Sequence, residues 1–368
     1  MTGFRLLAAL LALSASGYPF DDKKTKEETT QTLDVPKDPP ASVTAETSRL
    51  VFHVSPLSAK GLLSQQIRDA LKAELKAASG ATIVKLRAFV AGSGDLRRVQ
   101  TIVSEMFADK HLPLPALSVV QVGGLPLVGA QVVIESMAVA KKPASPLGLV
   151  FLSGQAASNN EPLEKVEPLA QKSLSNLRTA LQGAGSQPAD VLRMTCFSSS
   201  LGDHTAVRAA VETDFRRAAL NFVQLQRGAA HSVVECEAVA KLQRKIAGPV
   251  EFQNPQGLNQ SPDYSQLALV AAQRVVLTGT QLAYGYEDAD ARLAFQRLAK
   301  TLEQGGSSMR DVVMANIYPL SNSLAGQVRG IRFDFFDHSR PPASTLLAFE
   351  GLPAMKAGFA LDVVAIAK

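Results

Sequence analysis

Apolar residues recur at helical spacing in three parts of the chain, and a short apolar strand motif follows each part. The three stripes are Ile67, Leu71 and Leu75, then Leu174, Leu177 and Leu181, then Phe295, Leu298 and Leu302. The strand motifs lie at residues 82–84, 190–192 and 311–313. Because the apolar face of an amphipathic helix packs against a core, we predict three helices that each cover a sheet.

The same order of elements occurs three times along the chain. Three closing segments align without gaps: 135–140, 235–240 and 362–367. The turns before them also align: 124–126, 224–226 and 351–353. Each unit reads strand, helix, strand, helix, strand, strand, which predicts an α+β domain whose sheet has helices on one face. We place the units at 49–140, 148–240 and 264–368, with a linker at 241–263.

The N-terminal segment has a different composition. Arg5 precedes an uncharged run of Leu and Ala that is too short to span a bilayer, and small residues follow it. This pattern predicts a signal peptide at residues 1–17 and an exported protein, periplasmic or secreted. Residues 18–48 are polar and contain several prolines, so we predict a disordered tether there.

Composition and charge exclude several classes of protein. The 368 residues are 46% hydrophobic and 19% charged, which is typical of a folded globular chain. The net charge is +5, but 38 basic residues face 33 acidic ones, and Trp is absent. We therefore expect no nucleic-acid partner.

The uncharged segment 112–134 contains Pro113, Pro115 and Pro126, so we predict a strand, a turn and a strand there and no stable membrane insertion.

No cofactor or metal is predicted. The five histidines are scattered without metal-ligand spacing, and two cysteines do not make a zinc site. Cys196 and Cys236 fall in predicted strands of the middle unit. We expect two buried free thiols there, with a disulfide as the alternative after export.

The middle unit resembles the Rid family (YjgF, reactive intermediate deaminase, formerly called endoribonuclease L-PSP). The resemblance rests on the order of residues 150–155, Asn176-Leu177, 183–185, Asp190-Val191 and 237–240. It covers the middle unit fully, the third unit moderately and the first mostly by position. It implies three tandem chorismate-mutase-like domains that form an intramolecular pseudo-trimer, with sheets inside, helices outside and a cleft at each interface. The chain is then expected to be a monomer.

The resemblance also implies candidate catalytic residues. In the deaminating members an Arg before the penultimate strand binds a substrate carboxylate, and a Glu on the last strand serves the hydrolytic water. Counting eight residues back from the turn leucine leads to Leu117, Arg217 and Ser344. The position before the aligned alanines of the last strands is occupied by Met137, Glu237 and Val364. Arg217 and Glu237 in the middle unit are therefore the predicted catalytic pair, with a solvated Arg at a helix end as the alternative for Arg217.

A Ser-Gly pair at the end of the first strand contributes backbone groups across the interface in this family. Ser153 and Gly154 match it, and Thr278 and Gly279 are a fair substitute in the third unit. In the first unit Ser55-Pro56 lacks both the glycine and a free amide. We predict that these two pairs bind substrate. Thr278-Gly279 is the better candidate to face Arg217 and Glu237, but the sequence does not determine which neighbouring unit faces them.

Two functions remain open from the residues alone. The first is an exported Rid-like hydrolase that deaminates small carboxylate-bearing enamines or imines at an inter-domain cleft. The second is a non-catalytic pseudo-trimer that binds a small ligand or a partner protein. The first requires Arg217 and Glu237 to converge on one interface cleft.

Overall fold

All three predicted units fold as a sheet covered by two helices in the computed structural model, which describes residues 37–368. The predicted signal peptide, residues 1–17, and most of the predicted tether lie outside the described residues. The first strand, β1, is Ser42–Glu46, and a 3-10 turn at Thr47–Arg49 joins it to the first repeat.

The elements of repeats 1 and 2 follow the predicted order, and repeat 3 has one additional strand between its first strand and its first helix. Repeat 1 contains β2 (Leu50–Val54), α1 (Leu63–Ala77), β3 (Thr82–Ala91), α2 (Arg97–Asp109), β4 (Ala116–Val122) and β5 (Val132–Val139). Repeat 2 contains β6 (Leu149–Asn159), α3 (Glu167–Ala184), β7 (Val191–Ser198), α4 (His204–Phe215), β8 (Ala219–Gln224) and β9 (Ser232–Lys241). After β10 (Val250–Gln253) and β11 (Leu267–Val270), repeat 3 contains β12 (Arg274–Thr278), β13 (Gln281–Tyr284), α5 (Asp288–Gln304), β14 (Val312–Pro319), α6 (Asn322–Ile331), β15 (Ala343–Leu346) and β16 (Ala357–Ile366). Further 3-10 turns lie at Pro188–Asp190, Met309–Asp311 and Arg332–Asp334.

The three sheets share one topology. Their strand orders are β2-β5-β3-β4, β6-β9-β7-β8 and β12-β16-β14-β15. The third and fourth strands of each order run parallel, since a helix crosses over between them, and the remaining pairs are antiparallel. The segment 112–134 folds as strand, turn and strand, as predicted, and none of the described helices is long and apolar enough to cross a membrane.

Segments predicted as connectors join the sheets of neighbouring repeats. Strand β1 lies within the predicted tether, yet it pairs antiparallel with β12 of repeat 3. Strand β10 lies within the predicted linker and pairs with β11, which itself adds to β6 of repeat 2. Hydrophobic pattern alone did not reveal β1 and β10, because each is a short strand at the edge of a sheet.

Helix ends follow local sequence signals. Helix α3 has Pro168 in its first turn and ends at Gly185, whose φ of 74° favours glycine. Ser321 caps α6 by accepting a hydrogen bond from the Leu324 amide at 3.2 Å. The predicted apolar stripes of all three helices face the sheets, and Leu71, Leu177 and Leu298 are each 0% exposed.

The inner faces of the three sheets pack against one another. One shared cluster brings together Phe52, Phe151 and Leu277, one from each repeat. A second cluster contains Phe89 of repeat 1, Phe197 of repeat 2 and Phe349 of repeat 3, with ring centroids 5.7 to 6.5 Å apart. Sheets therefore lie inside and helices outside.

The expectation of free thiols in repeat 2 is wrong. Cys196 on β7 and Cys236 on β9 form a disulfide. The ladder places the two residues directly opposite each other, with their Cα atoms 4.1 Å apart. Sequence spacing does not reveal cross-strand register, and the alternative to free thiols was the correct one.

Truncating the aromatic contact at the shared core should destabilise the whole fold. We expect Phe197→Ala to lower the free energy of unfolding by roughly 3–5 kcal/mol, because a fully buried ring is replaced by a cavity. Urea denaturation followed by circular dichroism measures this. Leu293→Ala, at a half-exposed position of α5, is the control and should change stability little. Equal effects of the two variants would contradict the shared core.

Candidate functional site

A β-bulge fixes which residues of the three repeats are equivalent. The ladders β3–β5, β7–β9 and β14–β16 each shift register at a bulge. The shifts follow the pairs Ile83–Ala138, Val191–Ala240 and Val312–Ala365. Ala240, and not Ala238, is therefore equivalent to Ala138 and Ala365. The ungapped alignment of the sequence was two residues out of register in repeat 2. Since side chains alternate between faces, a slip of two residues preserves the hydrophobic pattern and leaves no sign in it.

The corrected register changes which residue of repeat 2 occupies the position predicted for the catalytic Glu. The position assigned to the family's Glu is occupied by Met137, Val239 and Val364, which all lie in the shared core. Glu237 is instead equivalent to Glu135 and Asp362.

The corrected register also changes which residue of repeat 2 occupies the position predicted for the carboxylate-binding Arg. On β4, β8 and β15, the residues Ala116, Ala219 and Ala343 are equivalent. Each pairs with the first residue after the bulge in the neighbouring strand's ladder to the last strand. The Arg position is therefore Leu117, Leu220 and Ser344. Arg217 precedes β8, is exposed, and makes no hydrogen bond or ion pair with the described residues. The loop after β8 is shorter in repeat 2, and counting back across it led to the wrong residue.

Arg217 and Glu237 do not converge on a cleft. Glu237 is 0% exposed, and its Oε1 atom accepts from Arg87 at 2.6 Å and from Arg193 at 3.1 Å. Arg217 lies in solvent. The two residues of the predicted catalytic pair therefore lie in different environments. Glu237 belongs to a buried ion pair, and Arg217 is exposed to solvent.

Charged and polar side chains fill the interface between repeats 1 and 2. Glu135 accepts hydrogen bonds from Arg87 at 2.8 Å, Thr195 at 2.6 Å and Asn221 at 2.7 Å. Burial by itself would raise the pKa of Glu135, but Arg87 and Arg193 outweigh it and hold that pKa below its usual value. Two guanidinium groups thus balance two carboxylates, Glu135 and Glu237.

A second buried ion pair lies at the interface between repeats 1 and 3, which also contains a cavity of about 260 Å³ beside Leu117 and Gly279. The Lys85 ammonium donates to Ser118 Oγ at 2.6 Å and to the Thr278 carbonyl, and lies 3.7 Å from Asp362 Oδ2. Burial lowers the pKa of Lys85 to about 8, although Asp362 acts in the opposite direction. Gly279 lies against the Leu117 backbone in the same interface. Thr278 and Gly279 therefore face repeat 1 and not the middle repeat.

The interface between repeats 2 and 3 contains an open cleft of about 300 Å³. Ser153 and Gly154 lie at this interface, where Ser153 Oγ accepts from the Ser344 amide at 2.8 Å. A Cβ at Gly154 would lie 1.7 Å from Glu235 Oε1, so only glycine leaves room for that carboxyl group. The side chains that define the cleft come from both repeats and the connector: Glu235, Asp263, Tyr264, Arg329, Arg332 and Ser344.

Arg332 brings a guanidinium to the cleft from the 3-10 turn after α6. It is 2% exposed, its Nη2 donates to the Asp263 carbonyl at 2.6 Å, and its Nη1 lies 3.5 Å from Ser344 Oγ. Its buried Nε has no hydrogen-bond partner among the described residues. Burial lowers its pKa to about 10, so it is still charged at neutral pH. A guanidinium thus lies beside Ser344, the position where the family's Arg is absent.

Glu235 lines the same cleft and is 7% exposed. It makes no hydrogen bond or ion pair with the residues that the structure describes. Burial, reinforced by the neighbouring Glu237, raises its pKa to about 8. Its carboxyl group is therefore protonated at neutral pH and can both donate and accept a proton near that pH.

Neither Arg332 nor Glu235 was among the predicted site residues. Glu235 and Glu237 alternate with Cys236 on β9, so their side chains lie on one face of the strand, and this Glu-x-Glu pattern is the signal that could have identified Glu235. Arg332 carried no signal, because only packing brings it beside Gly154, which is far away along the chain. Residues 37–368 contain no cluster of His, Cys, Asp and Glu that could hold a metal ion.

The fold and the clefts define a protein of three tandem α+β domains with clefts at their interfaces. The endoribonuclease L-PSP family matches residues 35–140, 145–242 and 256–368. The chain belongs to this family, which the sequence had indicated through its resemblance to Rid proteins.

Solved structures of single-domain size match parts of the chain. The Rid family protein YyfB from Yersinia pestis is 16% identical, covers 32% of this chain and 99% of its own, and has a TM-score of 0.30. The YjgF gene product from E. coli is 28% identical, with coverages of 26% and 81% and a TM-score of 0.23. E. coli TdcF with bound serine is 26% identical, with coverages of 27% and 81% and a TM-score of 0.23. No curated protein matches the chain.

Removing one guanidinium from the interface of repeats 1 and 2 should be strongly destabilising. We expect Arg87→Ala to cost roughly 3–5 kcal/mol, because Glu135 and Glu237 would each lose a buried partner. Chemical denaturation measures the loss. Arg217→Ala is the matched control, and we expect no measurable change from it. A large effect of Arg217→Ala would contradict its placement in solvent.

Glu235 should make stability depend on pH in a defined window. Its pKa is raised from 4.5 to about 8, so the folded state holds a proton that the unfolded chain has released between these values. The stability contributed by this group is full below about 4.5 and is lost as the pH rises through about 8. We expect Glu235→Gln to gain stability relative to wild type between pH 5 and pH 9. Denaturation curves at several pH values test this, and parallel curves for the two proteins would contradict it.

Proposed function

We propose that this protein binds a small carboxylate-bearing molecule in the cleft between repeats 2 and 3. The observation that carries the proposal is the buried Arg332, which lies beside Ser344 with a free Nε. A guanidinium presents a planar array of donors that matches a carboxylate. A buried charge with an unused donor is costly unless a ligand completes its partners.

The charge balance of the cleft supports an anionic ligand. Arg329 and Arg332 both lie near Asp263, with Nε and Nη2 atoms 3.7 and 3.9 Å from its Oδ2. Glu235 is neutral below about pH 8, and burial raises the pKa of Tyr264 above its usual value, so neither group adds a negative charge at pH 7. Two positive groups therefore face one carboxylate, which leaves an excess positive charge for the ligand.

The finer function is hydrolytic deamination of a carboxylate-bearing enamine or imine. Glu235 is the group that supports it, since a carboxyl group with a pKa near neutral is suited to general acid and base catalysis. In this scheme Glu235 protonates the enamine carbon, giving an iminium ion, and its carboxylate then takes a proton from the water that attacks the iminium carbon. Glu235 returns this proton to the amino group of the resulting carbinolamine. The C–N bond then breaks as the hydroxyl group loses its proton, and the products are a keto acid and ammonia.

Binding without catalysis is the second candidate. It is favoured by the absence of the family's Arg and Glu from their positions in all three repeats, where Leu117, Leu220 and Ser344 replace the Arg. Buried ion pairs lie at both interfaces of repeat 1, and the cavity of about 260 Å³ between repeats 1 and 3 has no charged side chain in its lining. The proposed ligand site is thus confined to one cleft, whether or not it is catalytic.

Export and a monomeric state complete the proposal. The segment 1–17 has the composition of a signal peptide, and the disulfide between Cys196 and Cys236 is consistent with an oxidising compartment. The three repeats already cover one another's sheets within one chain, which supports a monomer. Fractionation of cells and size-exclusion chromatography with light scattering test these two points.

Arg332 should be required for carboxylate binding. We expect Arg332→Ala to weaken the affinity for pyruvate, measured by calorimetry at pH 7, by at least about tenfold, because the charge-assisted hydrogen bonds are lost. Arg332→Lys keeps the charge and should retain part of the affinity. The control is Arg340→Ala, which removes a half-exposed Arg paired with Asp337. Unchanged binding by a folded Arg332→Ala protein would overturn the site.

Ammonia release distinguishes the two functions. Freshly generated 2-aminoacrylate is supplied to the wild type and to Glu235→Gln. If the protein is a hydrolase, the wild type releases ammonia faster than buffer, while Glu235→Gln binds pyruvate normally and loses the acceleration. Release at the buffer rate by a wild type that binds pyruvate would establish the non-catalytic alternative.

A further inference from the structure

The first strands of the three repeats differ at their outer edges. Strand β1 lies just before repeat 1 and is added to β12 of repeat 3, and β11 lies just before repeat 3 and is added to β6 of repeat 2. Among the described strands, β2 of repeat 1 pairs only with β5. The segment before repeat 2, residues 140–148, runs directly from β5 to β6 and contains Pro143 and Pro146, so it leaves no strand on β2.

Backbone groups at the outer edge of β2 lack the partners that equivalent groups have. The first strands align at the valines that pair with the equivalent alanines of the last strands: Val51, Val150 and Val276. Three positions later, the Ser153 amide donates to the Gln266 carbonyl at 3.0 Å, and the Gly279 amide donates to the Ala41 carbonyl at 2.8 Å. The amide of Val54, at the same position of β2, makes no hydrogen bond with any described residue.

The exposure of β2 and β8 agrees with an unfilled strand position between repeats 1 and 2. On β2, Val51, His53 and Val54 are half-buried, whereas the equivalent residues of β6 and β12 are buried. On β8, Ala219 and Leu220 are half-buried, whereas the equivalent residues of β4 and β15 are buried. The missing strand is therefore not replaced by closer packing of the two repeats.

The strands at the two filled edges indicate which side chains such a position accepts. The residues of β1 and β11 that lie against the shared core are small and apolar: Val43, Ala45, Ala268 and Val270. They pair with residues of β12 and β6 that are equivalent to Phe52 and Leu50. Since Phe52 and Leu50 belong to the same core, a strand added to β2 has room for Ala or Val at two alternate positions.

Two arginines lie where the N-terminal end of an added strand begins. In repeat 3, Ser265, just before β11, donates to the carbonyls of Pro341 and Pro342, at 2.7 and 3.2 Å. Arg217 is the equivalent of Pro341, because both precede the equivalent alanines of β8 and β15 by two positions. Arg216 and Arg217 are exposed and make no hydrogen bond or ion pair with the described residues. Their charges favour acidic residues at this end of the added strand.

We propose that the open edge of β2 binds an extended segment of a partner protein by strand addition, antiparallel to β2. The segment has acidic residues at its N-terminal end, facing Arg216 and Arg217, followed by Ala or Val at the two positions opposite Phe52 and Leu50. Main-chain hydrogen bonds supply affinity, and the alternate side chains supply specificity. This surface is at a different interface from the cleft between repeats 2 and 3, so it does not depend on the proposed function.

A designed peptide tests the proposal by fluorescence polarisation at pH 7. It contains two aspartates, one serine and two threonine-valine pairs in that order, with the label at its C-terminus. N-methylation of both valine amides removes the donors that face β2 and should weaken binding by at least about tenfold. Exchanging the threonines and valines should also weaken binding, because threonine then faces the core. Equal binding of the three peptides would overturn strand addition.

Reversing the charge beside the open edge should weaken binding of the same peptide. We expect the double variant Arg216→Glu, Arg217→Glu to bind about tenfold more weakly, since its glutamates repel the acidic end of the peptide. The matched control is Arg97→Glu, Arg98→Glu, which reverses two adjacent exposed arginines at the start of α2. An equal loss in both double variants would show attraction to net charge alone and would contradict the proposal.

Hydrogen exchange locates the bound peptide. A saturating amount of peptide should slow exchange of the Phe52 and Val54 amides by at least about tenfold, because they gain hydrogen-bond partners. Binding without protection of residues 50–54 would place the peptide elsewhere and overturn the proposal. If these amides are already protected in the free protein, the chain itself or a second copy fills the edge, and the proposal is wrong. Protection that rises with protein concentration identifies the second copy.

Discussion

Each sheet in this protein has helices on one face only, so the apolar inner face of every sheet must be covered by another sheet. Burial of apolar surface is the dominant favourable contribution to folding, and a single repeat cannot complete it. The other two repeats supply the cover, as the mixed origin of both shared clusters demonstrates. The pairing of β1 with β12 and of β11 with β6 then joins neighbouring repeats through backbone hydrogen bonds.

Packing three sheets together buries polar groups at three interfaces, and each interface satisfies them differently. Repeats 1 and 2 enclose two Arg and two Glu that neutralise one another. Repeats 1 and 3 enclose Lys85 and Asp362. Among the described residues, the cleft between repeats 2 and 3 is lined by buried ionisable groups that do not pair with each other, Arg332 and Glu235, whereas the cavity between repeats 1 and 3 is lined by uncharged residues. Because the repeats are fused in one chain, their interfaces are free to differ in the side chains that they bury.

The candidate site was predicted in part. Ser153 and Gly154 lie at the interface of repeats 2 and 3, while Thr278 and Gly279 lie at the interface of repeats 1 and 3, where the cavity has no charged side chain. Arg217 and Glu237 were chosen by an alignment that was two residues out of register in repeat 2. Such a slip keeps every side chain on its own face of the strand, so hydrophobic alternation does not detect it. The bulge that exposes the error is a property of paired strands, which one segment of sequence does not contain.

Local and repeated properties of this protein follow from the sequence by itself, because they depend on neighbours along the chain. These are the three units, their order of strands and helices, the helix faces that pack inward and the membership in the family. Properties that join distant segments were decided only by the tertiary structure: the strands shared between repeats, the disulfide, the register of repeat 2 and the meeting of Arg332 with Glu235. Spacing along the chain has no information on such contacts, since residues far apart in sequence become neighbours only when the three sheets close on one another.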